Sequence, residues 1–272
     1  MPLSALIYVK PRHWGRYATR WLAGWWHMLH LGAVALVMAL SPSTYNRANR
    51  LATARHMYAS TWQVLHWFTM LTALVSLVVI RIVLVTAQSY GLSRYALEMV
   101  VRVLVLELIP LSAAMFAALR SGMAFDAAAM GLAREGVPAS VATEDTLRRV
   151  RRDLVPQVFA NAFAVLSLAM VSSVIVLVLA YLNVYGLSPW GIPDYTRTVG
   201  RVFDPVVTAG FVFKTVLFGL AVAVIPSAAL LELLRHARRH PRFRHSSVQP
   251  GALRLLFVLL LIEAGSLALK YI

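Results

Sequence analysis

Five long apolar runs, separated by short polar and basic segments, dominate the chain after residue 61. An α-helix needs roughly 20 largely apolar residues to cross the hydrocarbon core of a bilayer. Each run meets that length, so the pattern predicts an all-α polytopic membrane protein with five transmembrane helices. The predicted spans are residues 62–85, 97–119, 157–182, 205–231 and 252–270.

A sixth apolar run, Trp21 to Leu40, comes before these five and differs from them in its flanks. Basic residues precede it and basic residues also follow it, which disfavours a true crossing of the membrane. Its tryptophans are typical of the headgroup level. The sequence therefore predicts an interfacial or re-entrant helix over about 21–40, within an N-terminal segment 1–61 that precedes a five-helix domain, 62–272.

Composition supports the membrane interpretation. The chain of 272 residues is 60% hydrophobic and 14% charged, with a mean hydropathy of +0.70, whereas soluble domains are about 45–50% apolar and about 25% charged. The net charge of +15 raises the possibility of nucleic-acid binding. That class is disfavoured because the basic residues form short clusters between apolar runs instead of one solvated face.

The distribution of basic residues predicts the orientation of the helices. If the N-terminus is cytoplasmic, segments 1–61, 120–153 and 232–254 lie on that side and carry 19 Lys and Arg residues. The opposite side then carries four: Arg94, Arg197, Arg201 and Lys270. Lys and Arg accumulate in cytoplasmic loops. The expected topology is N-terminus in and C-terminus out.

No pattern in the chain indicates an enzyme. The sequence has no cysteine, and it shows no metal-ligand spacing, no nucleophile elbow and no phosphate-binding glycine loop. Histidines at 27, 30, 236, 240 and 245 fall in basic, interfacial stretches, where contact with lipid headgroups is the better explanation. We expect no cofactor and no metal, and any use of ATP would require a partner subunit.

Several charged residues fall inside the predicted spans, where insertion of each costs roughly 2.5–3.5 kcal/mol. We expect Glu107 and Lys214 to face a polar interior or cavity. For Arg81 and Arg102, snorkelling or pairing with loop carboxylates is the simpler explanation. Pro110 follows Glu107 closely and is expected to loosen its helix. Glu263 is a further charge, in the fifth span.

Two polar segments between spans have features of their own. Residues 124–153 contain Ala-rich helical stretches broken at 136–138, which predicts two helices on the cytoplasmic side. This segment is either a docking surface or an ordinary basic loop. Residues 183–204 are rich in Gly, Pro and aromatics, and they predict a structured outer loop with an interfacial aromatic belt.

The order of these features resembles the MlaE-type permeases (also called YrbE), from about residue 50 to 235. The ELGP motif of that family corresponds to Glu107-Leu-Ile-Pro110, and its later arginine and glycine correspond to Arg120 and Gly122. An aromatic outer-loop pattern is similar to residues 188–192. The remaining similarities are the Asp204 and Lys214 pair, the basic segment 145–156 and the elbow helix before five spans.

The resemblance implies a permease subunit of an ABC transporter in the bacterial inner membrane. Such a permease moves phospholipid or another hydrophobic molecule between the inner membrane and the periplasmic side. Implied partners are a cytoplasmic ATPase, a periplasmic MCE-domain protein and a second permease copy. The implied polar core is Glu107, Pro110 and Lys214, and the implied MCE contacts are Trp190 and Asp204. The implied ATPase coupling residues, in segment 120–156, are Arg120, Asp126, Arg134 and Glu135.

The chain departs from the family pattern at several positions. Leu106 stands where an arginine is common, Ile109 replaces the motif glycine, and residues 133–138 replace the TEQ-like coupling segment. These departures favour a second hypothesis, a non-transporting structural subunit that anchors MCE-type proteins beside another permease. An ion-coupled secondary transporter using Glu107 and Lys214 is a third.

Overall fold

The computed structural model describes residues 47–134, 144–239 and 250–271, together with the helical positions Trp26, His30 and Ala33. Across these ranges the chain forms helices joined by short turns and contains no strand. The predicted all-α fold is therefore confirmed. Apart from the three isolated positions, the interfacial helix predicted at 21–40 lies outside the described residues.

Seven α-helices follow one another along the described chain. A π-helical segment, Val101–Leu108, joins α2 to α3, and a 3₁₀ turn, Pro189–Gly191, precedes α5. The helices are α1 Arg47–Ser89, α2 Ser93–Val100, α3 Ile109–Arg134, α4 Glu144–Tyr185, α5 Ile192–Val202, α6 Pro205–Arg239 and α7 Pro250–Tyr271.

Five stretches of these helices are long and apolar enough to cross a membrane, as predicted. Their ends differ from the predicted ends by at most four residues, because hydropathy locates the apolar core of a span better than its interfacial turns. The observed stretches are Val64–Ser89, Tyr95–Ser121, Val158–Tyr185, Pro205–Ala228 and Gly251–Lys270.

The second span changes its helical type around Glu107. The amide of Ile109 donates to the carbonyl of Leu104, five residues earlier, which is the π-helical pattern. Pro110 is the second residue of α3, directly after the π-helical segment, and its missing N–H cannot donate to a carbonyl of that segment. The expectation that Pro110 loosens this helix agrees with the wider π-helical turn that ends at Leu108.

A tight turn reverses the chain between α1 and α2. Gly91 has a φ of 71°, in the left-handed region that glycine adopts without steric cost. Its amide donates to the carbonyl of Gln88 at 3.1 Å, and the amide of Leu92 donates to the carbonyl of Ala87 at 2.7 Å. These two bonds are a Schellman motif, which ends α1 and starts the second span directly.

The segment predicted as an outer loop is largely helical. Pro189 and Pro193 lie in the first turns of the 3₁₀ turn and of α5, where proline is favoured. Asp194 in the first turn and Arg201 in the last turn match the helix dipole. The prolines and glycines were interpreted as loop signals, but here they mark where helices begin and end.

Helix α4 lies at the centre of the packing. It contributes buried residues to all three hydrophobic clusters of the described chain, including Val176, Val165 and Leu168. It also contacts α6 closely at Gly219, where an added Cβ would lie 3.2 Å from the carbonyl oxygen of Ala162. Small residues permit such close approach between membrane helices.

On the predicted cytoplasmic side, two helices extend beyond their spans. Helix α3 continues to Arg134 and α4 begins at Glu144. The residues between them, 135–143, are outside the described part and include the predicted break at 136–138. At the opposite end of the bundle lie α5, the α1–α2 turn and the C-terminal end of α7; we call this end the α5 side.

Candidate functional site

Three helical elements bring four charged side chains together inside the bundle. Glu107 comes from the π-helical segment, Lys214 from α6, and Glu263 and Lys270 from α7. We call these four residues the ion cluster. The two residues from the motif analysis, Glu107 and Lys214, are in direct contact.

Lys214 lies between the two carboxylates. Its Nζ donates to Glu107 Oε2 and lies 2.8 Å from Glu263 Oε2. The contact with Glu263 has the distance of an ion pair but lacks the angle of an aligned hydrogen bond. Lys270 completes the cluster, because its Nζ donates to Glu107 Oε1 at 2.8 Å. Glu107 is therefore held by a lysine at each oxygen.

Burial makes this pairing necessary. The Lys214 side chain is only 3% exposed, and its Nζ also lies 5.8 Å from the centre of the Phe218 ring. An unpaired charge in such an environment costs several kcal/mol. Two carboxylates and two ammonium groups give a neutral cluster, so the polar group stays within the span without leaving net charge in the hydrocarbon region.

Two members of the cluster were not assigned to the site from the sequence. Glu263 was noted only as a charge inside a span, and Lys270 was placed with the outer loops. A usable signal was present: the two residues are seven apart on α7, which puts them on one helix face. Two opposite charges on one face of a span indicate that oppositely charged side chains lie on the neighbouring helices.

The other intramembrane arginines have different environments. Arg102 donates to Glu98 Oε1 at 2.9 Å, four residues earlier in the same span. The pairing interpretation of Arg102 is thus correct, although its partner is in the helix and not in a loop. Arg81 is exposed on α1.

A shallow apolar hollow of about 700 Å³ opens on α6, near the α5 side. Thr208 supplies its one polar side chain. Apart from Phe203, in the α5–α6 turn, the lining residues recur every three or four positions and form one face of α6, and Lys214 lies on the far side of the same helix. The hollow is lined by Phe203, Pro205, Thr208, Ala209, Val212, Phe213 and Val216.

An aromatic cluster fixes α5 to the end of α4. Tyr195 donates to the carbonyl of Leu177 at 2.7 Å, and its ring meets Tyr181 edge-on with ring centres 5.2 Å apart. Burial raises the pKa of the Tyr195 hydroxyl to about 12. Tyr185 donates to Asp194 at 2.6 Å. Trp190, 90% exposed, lies in the 3₁₀ turn between α4 and α5.

The remaining residues singled out from the sequence are spread along the chain. Asp204 is exposed in the α5–α6 turn, where its carbonyl accepts from Thr208 at 2.9 Å. Arg120 is partly buried at the end of the second span. Asp126 and Arg134 lie further along α3, and Glu135 falls outside the described residues. None of the four described residues among these belongs to the ion cluster.

Five apolar helices of spanning length, three of which share the ion cluster, define a multi-pass membrane protein. The permease MlaE family model matches residues 53–264, well over half of the chain. The chain therefore belongs to the MlaE permease family, which suggests a membrane subunit of an ABC lipid transporter. No curated protein and no solved structure matches the chain.

Proposed function

We propose that this chain is the permease subunit of an ABC transporter that moves phospholipid or another hydrophobic molecule between the bacterial inner membrane and the periplasmic side. ATP would be hydrolysed by a separate partner subunit. The observation that carries the proposal is the family match over residues 53–264, which includes all five spans except the last six residues of the fifth.

The two faces of α6 give this proposal a physical basis. One face carries Lys214, tied to the π-helical segment and α7, and the other carries the apolar hollow. A hollow of this size and polarity suits an acyl chain. Because both features lie on one helix, a shift of α6 would move the hollow and change the ion cluster together.

Each end of the bundle is assigned a different partner in this proposal. We propose that the ATPase docks on segment 120–156, through Arg120, Asp126, Arg134 and Glu135. An MCE-domain protein would contact the α5 side, where Trp190 and Asp204 are exposed. This assignment requires the N-terminus in the cytoplasm and the C-terminus on the periplasmic side. A second permease copy, identical or related, would complete the transporter.

The direct test is purification of the full chain in mild detergent, with mass spectrometry of the proteins and lipids that accompany it. We expect an ATPase subunit and an MCE-domain protein in stoichiometric amounts, together with bound lipid. A charge-reversal variant at Arg120 (Arg120→Glu) should lose the ATPase and keep the MCE protein. Stable, monodisperse chain that retains no ATPase under any extraction condition would overturn the proposal.

A second candidate function is a non-transporting subunit that anchors MCE-type proteins beside another permease. The altered coupling segment 133–138 favours it. It predicts that a more typical permease co-purifies with this chain and that lipid transfer continues when the Arg120→Glu variant replaces the wild type. Lipid transfer that stops with this variant would support the transporting subunit instead.

A further inference from the structure

Arg81 differs from every other charged residue in the described spans. It lies in the first span, exposed, with apolar neighbours on its own face of α1: Leu77 and Val78 before it and Val85 after it are also exposed. No residue of the described chain pairs with Arg81, whereas Arg102 and Lys214 each hold a carboxylate. Such a charge is costly in hydrocarbon unless its side chain reaches the interface or binds an anionic group there.

A second copy of the chain has no carboxylate to supply at this depth. The five spans contain three acidic residues, Glu98, Glu107 and Glu263. Each of them already lies within 2.9 Å of an arginine or lysine. An interface that placed one of them against Arg81 would leave its present partner unpaired inside the membrane, at a cost that cancels the gain. The remaining candidate anion is a phosphate group of a lipid in the bilayer.

The depth of Arg81 identifies which part of a lipid it meets. Arg81 is eight residues before Ser89, the last residue of the span, or about 12 Å along the helix axis. It is seventeen residues after Val64, the first, so it belongs to the leaflet on the α5 side. Tyr90, 76% exposed, follows at the headgroup level. An arginine side chain that extends toward this level lies near lipid phosphates.

Gln88 adds a second polar group on the same face. It is exposed and lies seven residues after Arg81, which is two helical turns toward the α5 side. Val85 separates the two along this face and is itself exposed. The face thus presents a guanidinium first, then an amide nearer the interface. Guanidinium groups bind phosphate through paired hydrogen bonds.

We infer that Arg81 and Gln88 form a binding site for the phosphate headgroup of a single phospholipid, on the membrane-facing side of α1 in the leaflet of the α5 side. Arg81 binds the phosphate oxygens, and Gln88 donates to the headgroup above them. The phosphate lies below the average headgroup plane there, because the guanidinium starts about two turns inside the span. The site does not depend on the transport function proposed above.

Native mass spectrometry of the full chain in detergent tests this site by counting the phospholipids that each chain retains. The probe is phosphatidylglycerol, compared with a diacylglycerol of the same acyl chains and with excess inorganic phosphate. We expect the Arg81→Leu variant to retain one phospholipid fewer than the wild type, with binding of that lipid weakened about tenfold or more. The Arg81→Lys variant should retain it with intermediate affinity, because lysine keeps the charge but not the paired geometry.

The matched control is Arg201→Leu, which removes one exposed arginine from α5, outside the spans. It should retain as many phospholipids as the wild type. Diacylglycerol should show no dependence on Arg81, and inorganic phosphate should not displace the lipid. Leucine suits a membrane-facing position, so the Arg81→Leu variant should remain monodisperse.

Equal phospholipid counts in the wild type and Arg81→Leu would overturn the site. Displacement by inorganic phosphate would overturn it as well, because it would indicate a soluble-anion site. A changed oligomeric state with an unchanged lipid count would place Arg81 in a protein interface and would equally contradict the inference.

Discussion

The second span carries two charged sites that differ in how they are satisfied. Glu98 and Arg102 pair within one helix, four residues apart, and their side chains are 25% and 43% exposed. Glu107 pairs with residues 107 and 163 positions away, on α6 and α7. The first site is therefore complete as soon as the helix forms, and the second exists only after three elements have packed.

The first pair stabilises a single helix, whereas the ion cluster stabilises the packing of several helices. An exposed pair one helical turn apart contributes a few tenths of a kcal/mol, and either partner can be solvated at the interface. The ion cluster has no such alternative, because Lys214 is 3% exposed. The cluster connects the π-helical segment, α6 and α7, whereas the local pair lies within a single span.

Removal of Lys214 should have the largest effect. The Lys214→Met variant leaves Glu107 with Lys270 and leaves Glu263 without its ion partner in the interior. We expect a loss of about 3–5 kcal/mol of stability, since a buried charge loses its partner. Thermal unfolding of the purified chain in detergent, monitored by size-exclusion chromatography, measures it.

The double variant Lys214→Met/Glu263→Gln is the control for this prediction. It removes one charge of each sign and keeps the pair between Glu107 and Lys270. We expect it to recover at least half of the lost stability. If the double variant is as unstable as Lys214→Met, the loss comes from packing around Phe218 and not from unpaired charge.

A steric change on the same helix separates packing from charge. Gly219→Leu adds a side chain where even a Cβ would lie 3.2 Å from the carbonyl of Ala162. Overpacking of this kind costs about 1–3 kcal/mol. The matched control is Gly210→Leu, at a position of α6 with open space around it. The two unfolding midpoints should differ clearly, and equal midpoints would refute the close contact between α4 and α6.

Removal of Lys270 should have a smaller effect than removal of Lys214. Its side chain is 20% exposed at the end of α7, and Glu107 keeps its bond to Lys214 when Lys270 is replaced by methionine. We expect a loss of about 1.5–3 kcal/mol, the value of a hydrogen bond to a charged group. The same unfolding assay measures it, and a loss equal to that of Lys214→Met would show that the two lysines act as one unit.

The smallest effect is expected at the local pair. Arg102→Met leaves Glu98 partly exposed, so we expect a change of at most about 0.5 kcal/mol. Equal destabilisation by Arg102→Met and Lys214→Met would contradict the distinction between local and tertiary charge. This variant therefore tests whether the local pair contributes as little to stability as expected.

Much of the fold could be predicted from the sequence because hydropathy is a local property. The five spans were located to within four residues at each end. The segment around α5 was not, because Pro189 and Pro193 serve equally well in loops and in first helical turns. Proline at these positions is compatible with a loop and with the start of a helix, and only the contact of Tyr195 with α4 distinguishes the two structures.

Only two of the four residues of the ion cluster could be predicted from the sequence. Glu107 and Lys214 stood out because a charge in an apolar span is unusual wherever its partner lies. The membership of Glu263 and Lys270 depends on how α7 packs against α6, which no single span encodes. Arg102 was assigned a partner of the right kind in the wrong place, since Glu98 lies inside the span.

We propose that this chain moves lipid by means of ATP that a partner subunit hydrolyses. The most direct measurement is transfer of a fluorescent phospholipid in proteoliposomes that contain the chain with its co-purified partners. We predict transfer that requires ATP and falls strongly with Lys214→Met, even at a temperature where that variant remains folded. Transfer that continues without ATP and follows an imposed pH gradient would contradict the account.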